Sequence, residues 1–417
     1  MFMTMHRRDL LFGAALMAAV LPAARAAEPA QMPINHDHGA APEGPFEIVA
    51  RFDGPGPSGI AVTGGRVFVG FPRHAVNHKG ATLAELKNGR LYPYPDVATS
   101  MPSDRPPATR LMSIHGMTID AKGRLWAIDD GKLAGAPLAP GAAKVIGIDP
   151  ATNRIFASIV LRAPTLLPDS HMNDLRVDLT HGAQGTVFIT DSSFGQSPAL
   201  VVVDVASGRQ RRVLASHPSI QAEHPFMAVV EGRPLVFDPP AHKPAFVSGG
   251  VDGLTLSPDS ATLYYSPLTS RRLYSIPTAL LADFDQTDAQ LATAIRDLGE
   301  KGVADGLASD AQGRIYTTNF EHDAIFRRNT DGTFDTMVHD PRVLSPDGIF
   351  VDGTMVYCTL GQWNRLGGLN GGHDLRVPPY YLIRFPTDAP APVDATRPAP
   401  GELPLSPGAE LRQQSRP

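Results

Sequence analysis

The chain has 417 residues, of which 42% are hydrophobic and 19% charged, and its net charge is −5. That is enough hydrophobic sequence for a large core in one or two domains, and a mildly acidic chain suits neither nucleic acid nor anionic lipid as a partner. The 39 glycines and 40 prolines favour many short strands and turns over long helices.

Residues 1–26 read as an export signal. Twin arginines at positions 7 and 8 precede an apolar run over residues 10–22, and the small-x-small sequence Ala-Arg-Ala at 24–26 offers a cleavage site. The apolar run is too short to span hydrocarbon, so we expect no stable membrane span. The pair of arginines followed by leucines resembles a twin-arginine signal, which implies export of the folded protein to the periplasm or beyond.

The ends of the chain flank one predicted domain. Residues 27–45 are rich in Pro, Ala and Gly and are expected to form a flexible leader. The first strand is predicted over Phe46 to Phe52, and its expected partner is the strand from Tyr380 to Phe385, which would close a ring of sheets. Residues 387–417 form a Pro-rich tail.

A short pattern of a polar residue, a glycine or its substitute and an apolar residue occurs six times. The copies are SGIAV at 58–62, HGMTI at 115–119, NDLRV at 173–177, DGLTL at 252–256, DGLAS at 305–309 and DGIFV at 347–351. Each is followed by a turn and a second apolar or aromatic strand. Repeats of this length with several strands each are typical of propeller blades. The predicted fold is all-β, a six-bladed β-propeller over residues 46–386.

Equivalent positions on successive innermost strands converge on one axis, so the first residues of these copies should ring a central channel. We predict that Asn173, Asp252, Asp305 and Asp347 point into it. Aspartates facing one another repel unless a cation or protons intervene. Their oxygens are therefore the candidate ligands for a divalent cation, with Ca²⁺ as the candidate cofactor.

Three further segments carry predictions. The interval over residues 216–250 is long enough to be functional or to cover one face. The segment from Thr287 to Leu298 has apolar residues at helical spacing after a Thr-Asp start, which predicts a short helix packed on an outer blade edge. The single cysteine, Cys358, falls in a strand pattern and is expected to be a buried core thiol.

Amide and aromatic residues follow the second strands of two repeats. Asn319 and Phe320 end the second strand of repeat five, and Trp363 and Asn364 follow that of repeat six. With His115 they form the predicted ligand-binding set, suited to an aromatic or amine ligand. The alternative for Trp363 is packing between blades.

The order of several motifs resembles the bacterial branch of the major royal jelly protein/yellow family from about Ile114 to Phe385. The segments that carry the resemblance are Gly250 to Asp259, Leu263 to Ser270, Leu273 to Thr278, Asn173 to Asp178, Ile189 to Ser192, His217 to Ser219, Lys301 to Asn319 and Asp323 to Ile325. The resemblance implies a secreted six-bladed propeller with a ligand pocket at one channel mouth. Members of the family include binders of biogenic amines and insect proteins linked to dopachrome conversion. Insect members carry disulfide cysteines that this chain lacks.

Two function classes stay open. One is a protein that binds a small aromatic or amine ligand; the other is a divalent-cation-dependent lactonase of the regucalcin/gluconolactonase type, also six-bladed. The second needs Glu, Asn and Asp ligands, and Asn173 and Asp252 stand in the expected places, but Ser58 stands where the Glu belongs. No nucleophile elbow, zinc helix or phosphate loop occurs. His171, close to Asn173, could act as an acid or base.

Overall fold

The computed structural model describes residues 44–193 and 197–388. The predicted export signal, all but the last two residues of the leader and the tail from residue 389 lie outside the described residues. Among the helices of the described part, none has the length and hydrophobicity needed to cross a bilayer.

Six four-stranded antiparallel sheets form the blades of a propeller, as predicted. In chain order the strands of the first three blades are β2 (Ile60–Thr63), β3 (Arg66–Gly70), β4 (Leu83–Lys87), β5 (Arg90–Pro93); β6 (Ile114–Ile119), β7 (Leu125–Asp129), β8 (Lys144–Asp149), β9 (Arg154–Val160); and β10 (Met172–Asp178), β11 (Thr186–Asp191), β12 (Ala199–Asp204), β13 (Gln210–Val213). Two small hairpins follow: β14 (Val229–Val230) with β15 (Arg233–Pro234), and β16 (Val236–Phe237) with β17 (Ala245–Phe246).

The last three blades repeat the same arrangement. Their strands are β18 (Val251–Leu256), β19 (Thr262–Pro267), β20 (Arg272–Pro277), β21 (Arg296–Glu300); β22 (Ala304–Ser309), β23 (Ile315–Asn319), β24 (Ala324–Arg328), β25 (Phe334–His339); and β26 (Pro346–Asp352), β27 (Met355–Leu360), β28 (Tyr380–Pro386). The outermost strand of the sixth blade is β1 (Glu47–Phe52), which pairs antiparallel with β28. The two ends of the domain thus complete one blade, and the predicted closure is confirmed.

The hydrophobic core is divided among the interfaces between blades. Strands of neighbouring sheets supply the clusters that fill each interface, for example Trp126, Val145, Leu175 and Val201 between the second and third blades. Cys358 on β27 is fully buried between the fifth and sixth blades, as the strand pattern predicted.

Glycine at the second position of the repeat lets the innermost strands approach closely. A Cβ atom at Gly348 would lie 2.0 Å from the carbonyl oxygen of Ser58 in the next blade, and one at Gly306 would lie 2.3 Å from that of Asp347. Gly253 faces the carbonyl of Asp305 at 2.5 Å in the same way. The inner strands also carry a bulge at this point, which turns the preceding residue toward the axis.

Between residues 44 and 388, as far as the structure describes them, three short α-helices accompany the blades: α1 (Val97–Ser100), α2 (Thr278–Ala282) and α3 (Asp288–Ala294). The predicted outer helix corresponds to α3, which starts at a capping box between Thr287 and Gln290. The helix is shorter than the predicted span because the chain must form β21, the fourth strand of its blade. Leu291 packs into the core beside blade four.

Candidate functional site

A cavity of about 120 Å³ opens at the end of the propeller where the innermost strands begin. Its floor contains the first residues of repeats two to six: His115, Asn173, Asp252, Asp305 and Asp347. Its walls come from the longer connections on this face, including the 216–250 segment. The bulges and close-packed glycines hold the floor on rigid strands.

The ring of repeat positions is divided by charge. Blades one to three supply Ser58, His115 and Asn173, whereas blades four to six supply Asp252, Asp305 and Asp347. Each of these residues lies at or just before the start of an innermost strand, so the difference in charge between the two sides comes from side-chain identity. One side of the cavity floor is therefore uncharged when its histidine is neutral, and the other is acidic.

The three aspartates are held in an environment that opposes their ionisation. Burial raises the pKa of Asp347 to about 7. Burial, followed by repulsion from Asp347, raises the pKa of Asp252 and of Asp305 well above the ordinary value. The Oδ2 atom of Asp252 is buried and has no hydrogen-bond partner among the described residues. The acidic side would accept a proton or a cation.

A buried lysine stands near this acidic side. Lys301 is almost fully buried, and its Nζ donates a hydrogen bond to the carbonyl of Gly302 at 2.8 Å. Burial lowers its pKa to about 7, and attraction by Asp252 acts in the opposite direction. Lys301 can supply at most one positive charge beside three carboxyl groups.

The channel is closed below the cavity by an ion pair. Asp174 replaces the glycine of the third repeat, and both of its carboxylate oxygens accept from Arg176 at 2.9 Å. The same guanidinium donates to the carbonyl of Leu307 on blade five at 2.6 Å. This contact bridges the channel, so a ligand in the cavity enters from the mouth.

Three histidines meet on the uncharged side. His74 lies in the connection after β3, His115 lies on β6 and His171 precedes β10; each offers one ligand nitrogen, and these atoms lie within 4.8 Å of one another. Burial lowers the pKa of His115 to about 4 and lowers the pKa values of the other two as well. All three line the cavity, and burial favours the neutral form of each imidazole.

Asp130 lies behind this histidine cluster. Its Oδ2 atom is 3.7 Å from Nδ1 of His74 and 3.6 Å from Nδ1 of His171. Its Oδ1 atom accepts from the backbone N–H of Lys132 at 2.8 Å. Burial raises the pKa of Asp130 to about 7.

The upper wall of the cavity is apolar and aromatic. Phe226 and Met227 come from the 216–250 segment, and Phe320 and Trp363 come from the predicted ligand-binding set. The indole of Trp363 stacks on His74 with ring centres 5.7 Å apart. Its Nε1 donates to the carbonyl of Pro57 at 3.2 Å. Trp363 therefore lies at the mouth of the channel.

The two asparagines of the predicted ligand-binding set, Asn319 and Asn364, occupy different environments. Asn364 lines the cavity, and its Nδ2 atom is buried with no hydrogen-bond partner among the described residues. Asn319 is fully buried and is not among the lining residues. It pairs with the first residue of its inner strand, at the register position that Asp129 and Asp191 hold in blades two and three. Those two aspartates accept backbone N–H groups at the start of the inner strands.

Two residues of the histidine cluster and its surroundings were not predicted from the sequence: His74, which lines the cavity, and Asp130, which lies behind the cluster. Asp130 follows the second strand of repeat two, at the same offset as Phe320 in repeat five, so the pattern that indicated Phe320 could have indicated Asp130. His74 lies in a connection with no repeat signal, and only the fold brings it to the other two histidines.

The fold and the cavity define a six-bladed propeller with a polar-floored, apolar-walled pocket at one end of its channel. The chain belongs to the major royal jelly protein family, whose sequence profile matches residues 112–353. That match confirms the family predicted from the motifs.

Individual relatives are distant. The chain is 22% identical to major royal jelly protein 7 of Apis mellifera over 258 residues, which are 58% of this chain and 53% of the relative. Major royal jelly protein 6 of the same species is 25% identical over 188 residues, 45% of this chain and 39% of the relative. The chain thus spans about half the length of these relatives or less. A gluconolactonase, XC5397 from Xanthomonas campestris, aligns over 84% of this chain and 98% of its own at 14% identity, with a TM-score of 0.46.

Proposed function

We propose that this protein binds a small aromatic amine in the cavity at the channel mouth. The cationic nitrogen would lie on the acidic side, between Asp252, Asp305 and Asp347. The ring would lie against Phe226, Phe320 and Trp363. The observation that carries the proposal is the juxtaposition in one cavity of an aromatic wall and three carboxyl groups that would repel one another when ionised.

Electrostatics favours a cationic ligand over a neutral one. Ionised aspartates that are buried near one another carry a free-energy cost, which appears as their raised pKa values. An ammonium group offsets this cost and supplies hydrogen-bond donors for oxygens such as Oδ2 of Asp252. Aromatic faces add cation–π and stacking contacts to the same ligand.

The shape of the cavity favours a small ligand over a polymer. The channel below is closed by the Asp174–Arg176 pair, and the 216–250 segment covers part of the mouth through Phe226 and Met227. A ligand of one ring and a short amine-bearing chain would satisfy both the floor and the wall.

A divalent-cation-dependent hydrolase is the second candidate, because Asn173 and the three aspartates bring four oxygen-bearing side chains to one cavity. Ca²⁺ needs six to eight oxygens at 2.3–2.6 Å. Residues that share a metal ion have ligand atoms close together. Within the described part of the chain, the three histidines have ligand atoms within 4.8 Å of one another, whereas the three aspartates do not meet this distance. The donor set therefore fits Ca²⁺ poorly, and we assign it no catalytic step.

Matched ligands separate the two candidates. Tyramine carries an ammonium group and 4-ethylphenol does not, although the two share a ring of the same size. We expect tyramine to raise the melting temperature, by an amount equivalent to about 2.7 kcal/mol at a hundred times its dissociation constant, and 4-ethylphenol to leave it unchanged. Equal responses to the two compounds would contradict the proposal.

Variants test the location. Asp305→Asn should abolish the preference for tyramine, whereas Asp104→Asn, on an exposed loop residue, should preserve it. Stabilisation by Ca²⁺ that is reversed by chelator and lost in Asp252→Ala, together with turnover of a lactone, would instead establish the hydrolase.

Export is the remaining part of the proposal, because the predicted signal over residues 1–26 would carry this pocket to the periplasm. Changing Arg7 and Arg8 together to lysine should leave precursor in the cytoplasm. The measurement is cell fractionation, and normal periplasmic accumulation of the double variant would contradict it.

A further inference from the structure

The three cavity histidines come from three different blades and meet at one point. Ring centres of His74 and His115 are 5.2 Å apart, those of His74 and His171 are 4.9 Å apart, and those of His115 and His171 are 5.1 Å apart. The ring plane of His171 is nearly perpendicular to that of His115, with an angle of 88° between them. Three mutual separations this similar make a nearly equilateral triangle of imidazoles.

This triangle has the dimensions of a metal site. With metal–nitrogen bonds of about 2.1 Å and tetrahedral angles, and with the ring centre about 1.1 Å beyond the nitrogen, three imidazole centres on one ion lie about 5.2 Å apart. The observed separations of 4.9–5.2 Å agree with that value. The ligand nitrogens themselves, now within 4.8 Å of one another, would need to approach to about 3.4 Å. Rotation of the rings about their side-chain bonds can supply that change.

The surrounding protein leaves polar atoms at the cluster unsatisfied. Nδ1 of His74 and Oδ2 of Asp130 are buried, and neither has a hydrogen-bond partner among the described residues. The 3.6–3.7 Å distances from Asp130 to two Nδ1 atoms are too long for hydrogen bonds. Small ring rotations would shorten them and leave the opposite nitrogens to bind a metal. A carboxylate that orients ligating histidines in this way is the usual second layer of such a site.

We propose that His74, His115 and His171 bind a divalent first-row transition-metal ion, with the fourth coordination position open to the cavity. Three imidazole nitrogens select ions of the zinc, copper and cobalt type over Ca²⁺ and Mg²⁺. Three protein ligands and one open position are the arrangement of reactive rather than purely structural metal sites. Asp130 is a positioning residue that acts through His74 and His171. The site is separate from the acidic side, and it does not depend on the identity of the organic ligand.

Cobalt is the first probe because its visible absorption reports coordination number and geometry. The full-length mature protein, freed of metal by chelator and dialysis, is titrated with Co²⁺ and, in parallel, with Zn²⁺ by calorimetry. We expect one equivalent of each ion to bind, with the intense visible bands of four- or five-coordinate Co²⁺. Ca²⁺ in tenfold excess should not displace the bound ion.

The variants assign the ligands. His74→Ala and His171→Ala should each weaken Co²⁺ binding by at least tenfold and remove the visible bands. His322→Ala, which changes an exposed histidine, should bind as the unchanged protein does. Asp130→Asn should keep the stoichiometry but weaken affinity by about 10- to 100-fold.

Folding of each variant is checked by circular dichroism. His74 lies in a connecting loop and its side chain is 21% exposed, so His74→Ala tests the site even if a more buried variant fails to fold. Absence of a stoichiometric Co²⁺ complex in the unchanged protein would overturn the proposal. Retention of the full complex in folded His74→Ala would do so too.

Discussion

The two sides of the cavity floor show how one repeated backbone supports opposite electrostatics. At the first repeat position, blades one to three carry Ser58, His115 and Asn173, and blades four to six carry three aspartates. Both sides are built from innermost strands of the same sheet topology, and glycines make close backbone contacts on both, at Gly59 on one side and at Gly348 on the other. A propeller therefore fixes where six side chains meet, and single substitutions decide which ligand chemistry each side offers.

Burial shifts both sides toward their neutral forms, but with opposite pH dependence. A histidine with a lowered pKa resists gaining a proton, whereas an aspartate with a raised pKa resists losing one. The histidine side therefore loses stability on acidification, and the aspartate side loses it as the pH rises.

The largest effect is expected from the glycines that both sides share. Gly59→Ala on the histidine side would put a Cβ atom 2.0 Å from the carbonyl oxygen of His115, and Gly348→Ala would put one 2.0 Å from that of Ser58. Backbone atoms cannot move away without opening the ring, so each change should cost about 3 kcal/mol or more. Chemical denaturation measures this cost.

The matched control is Gly54→Ala. An added Cβ atom there has no atom within 4 Å, and we expect a change within about 0.5 kcal/mol. Comparable losses at Gly54 and Gly348 would show that close strand approach is not what requires glycine.

The aspartate side is tested by removing one charge. Because the pKa of Asp347 is raised from 3.8 to about 7, the folded protein binds a proton more tightly than the unfolded chain, and stability falls as the pH rises between these values. A shift of one pKa unit corresponds to about 1.4 kcal/mol. Because the neighbouring carboxyl groups share part of this cost, Asp347→Asn should stabilise the ligand-free protein by about 2 kcal/mol at pH 8. The gain should vanish near pH 4. A gain that does not depend on pH would point to packing rather than charge.

The histidine side should show the opposite sign. The pKa of His115 is lowered from 6.5 to about 4, so the folded protein binds fewer protons than the unfolded chain in that window, and stability is lost as the pH falls through it. In metal-free protein, His115→Gln should reduce the loss between pH 6.5 and 4 by about 1–2 kcal/mol. The readout is the slope of the free energy of unfolding against pH, because lost ring packing lowers that free energy by the same amount at every pH. His322→Gln should leave the slope unchanged.

Much of the fold could be predicted because the sequence patterns that determine it are local and occur in every repeat. Six copies of one pattern set the inner strands, and the closing pair of β1 and β28 follows from apolar runs at the two ends. The helix from Thr287 was predicted at its start, where a capping box is a local signal. The end of the helix was not predicted, because β21 pairs with β20 and this long-range pairing overrides the helical spacing of the apolar residues.

The site could be predicted only where the repeat marked it. Asp252, Asp305 and Asp347 share a repeat position, and all three line the cavity. Asn319 also followed a repeat signal, but its offset by one residue from Phe320 turns it to the structural side of the strand end. His74 lies in a connection of its own, so its approach to His115 depends on the path of a loop that no pattern encodes.

The smallest effect is expected far from both sides, at the capping box of α3. The Thr287 hydroxyl accepts from the backbone N–H of Gln290, and Leu291 anchors the helix to the outer core. Thr287→Ala should cost about 1 kcal/mol, whereas Thr293→Ala, at an exposed position of the same helix, should be nearly neutral. Neither variant should change the affinity for tyramine or Co²⁺, because the blade interfaces, rather than the outer helices, hold the cavity floor. Weakened binding of either probe in Thr287→Ala would mean that the outer edge of blade four sets the geometry of the floor.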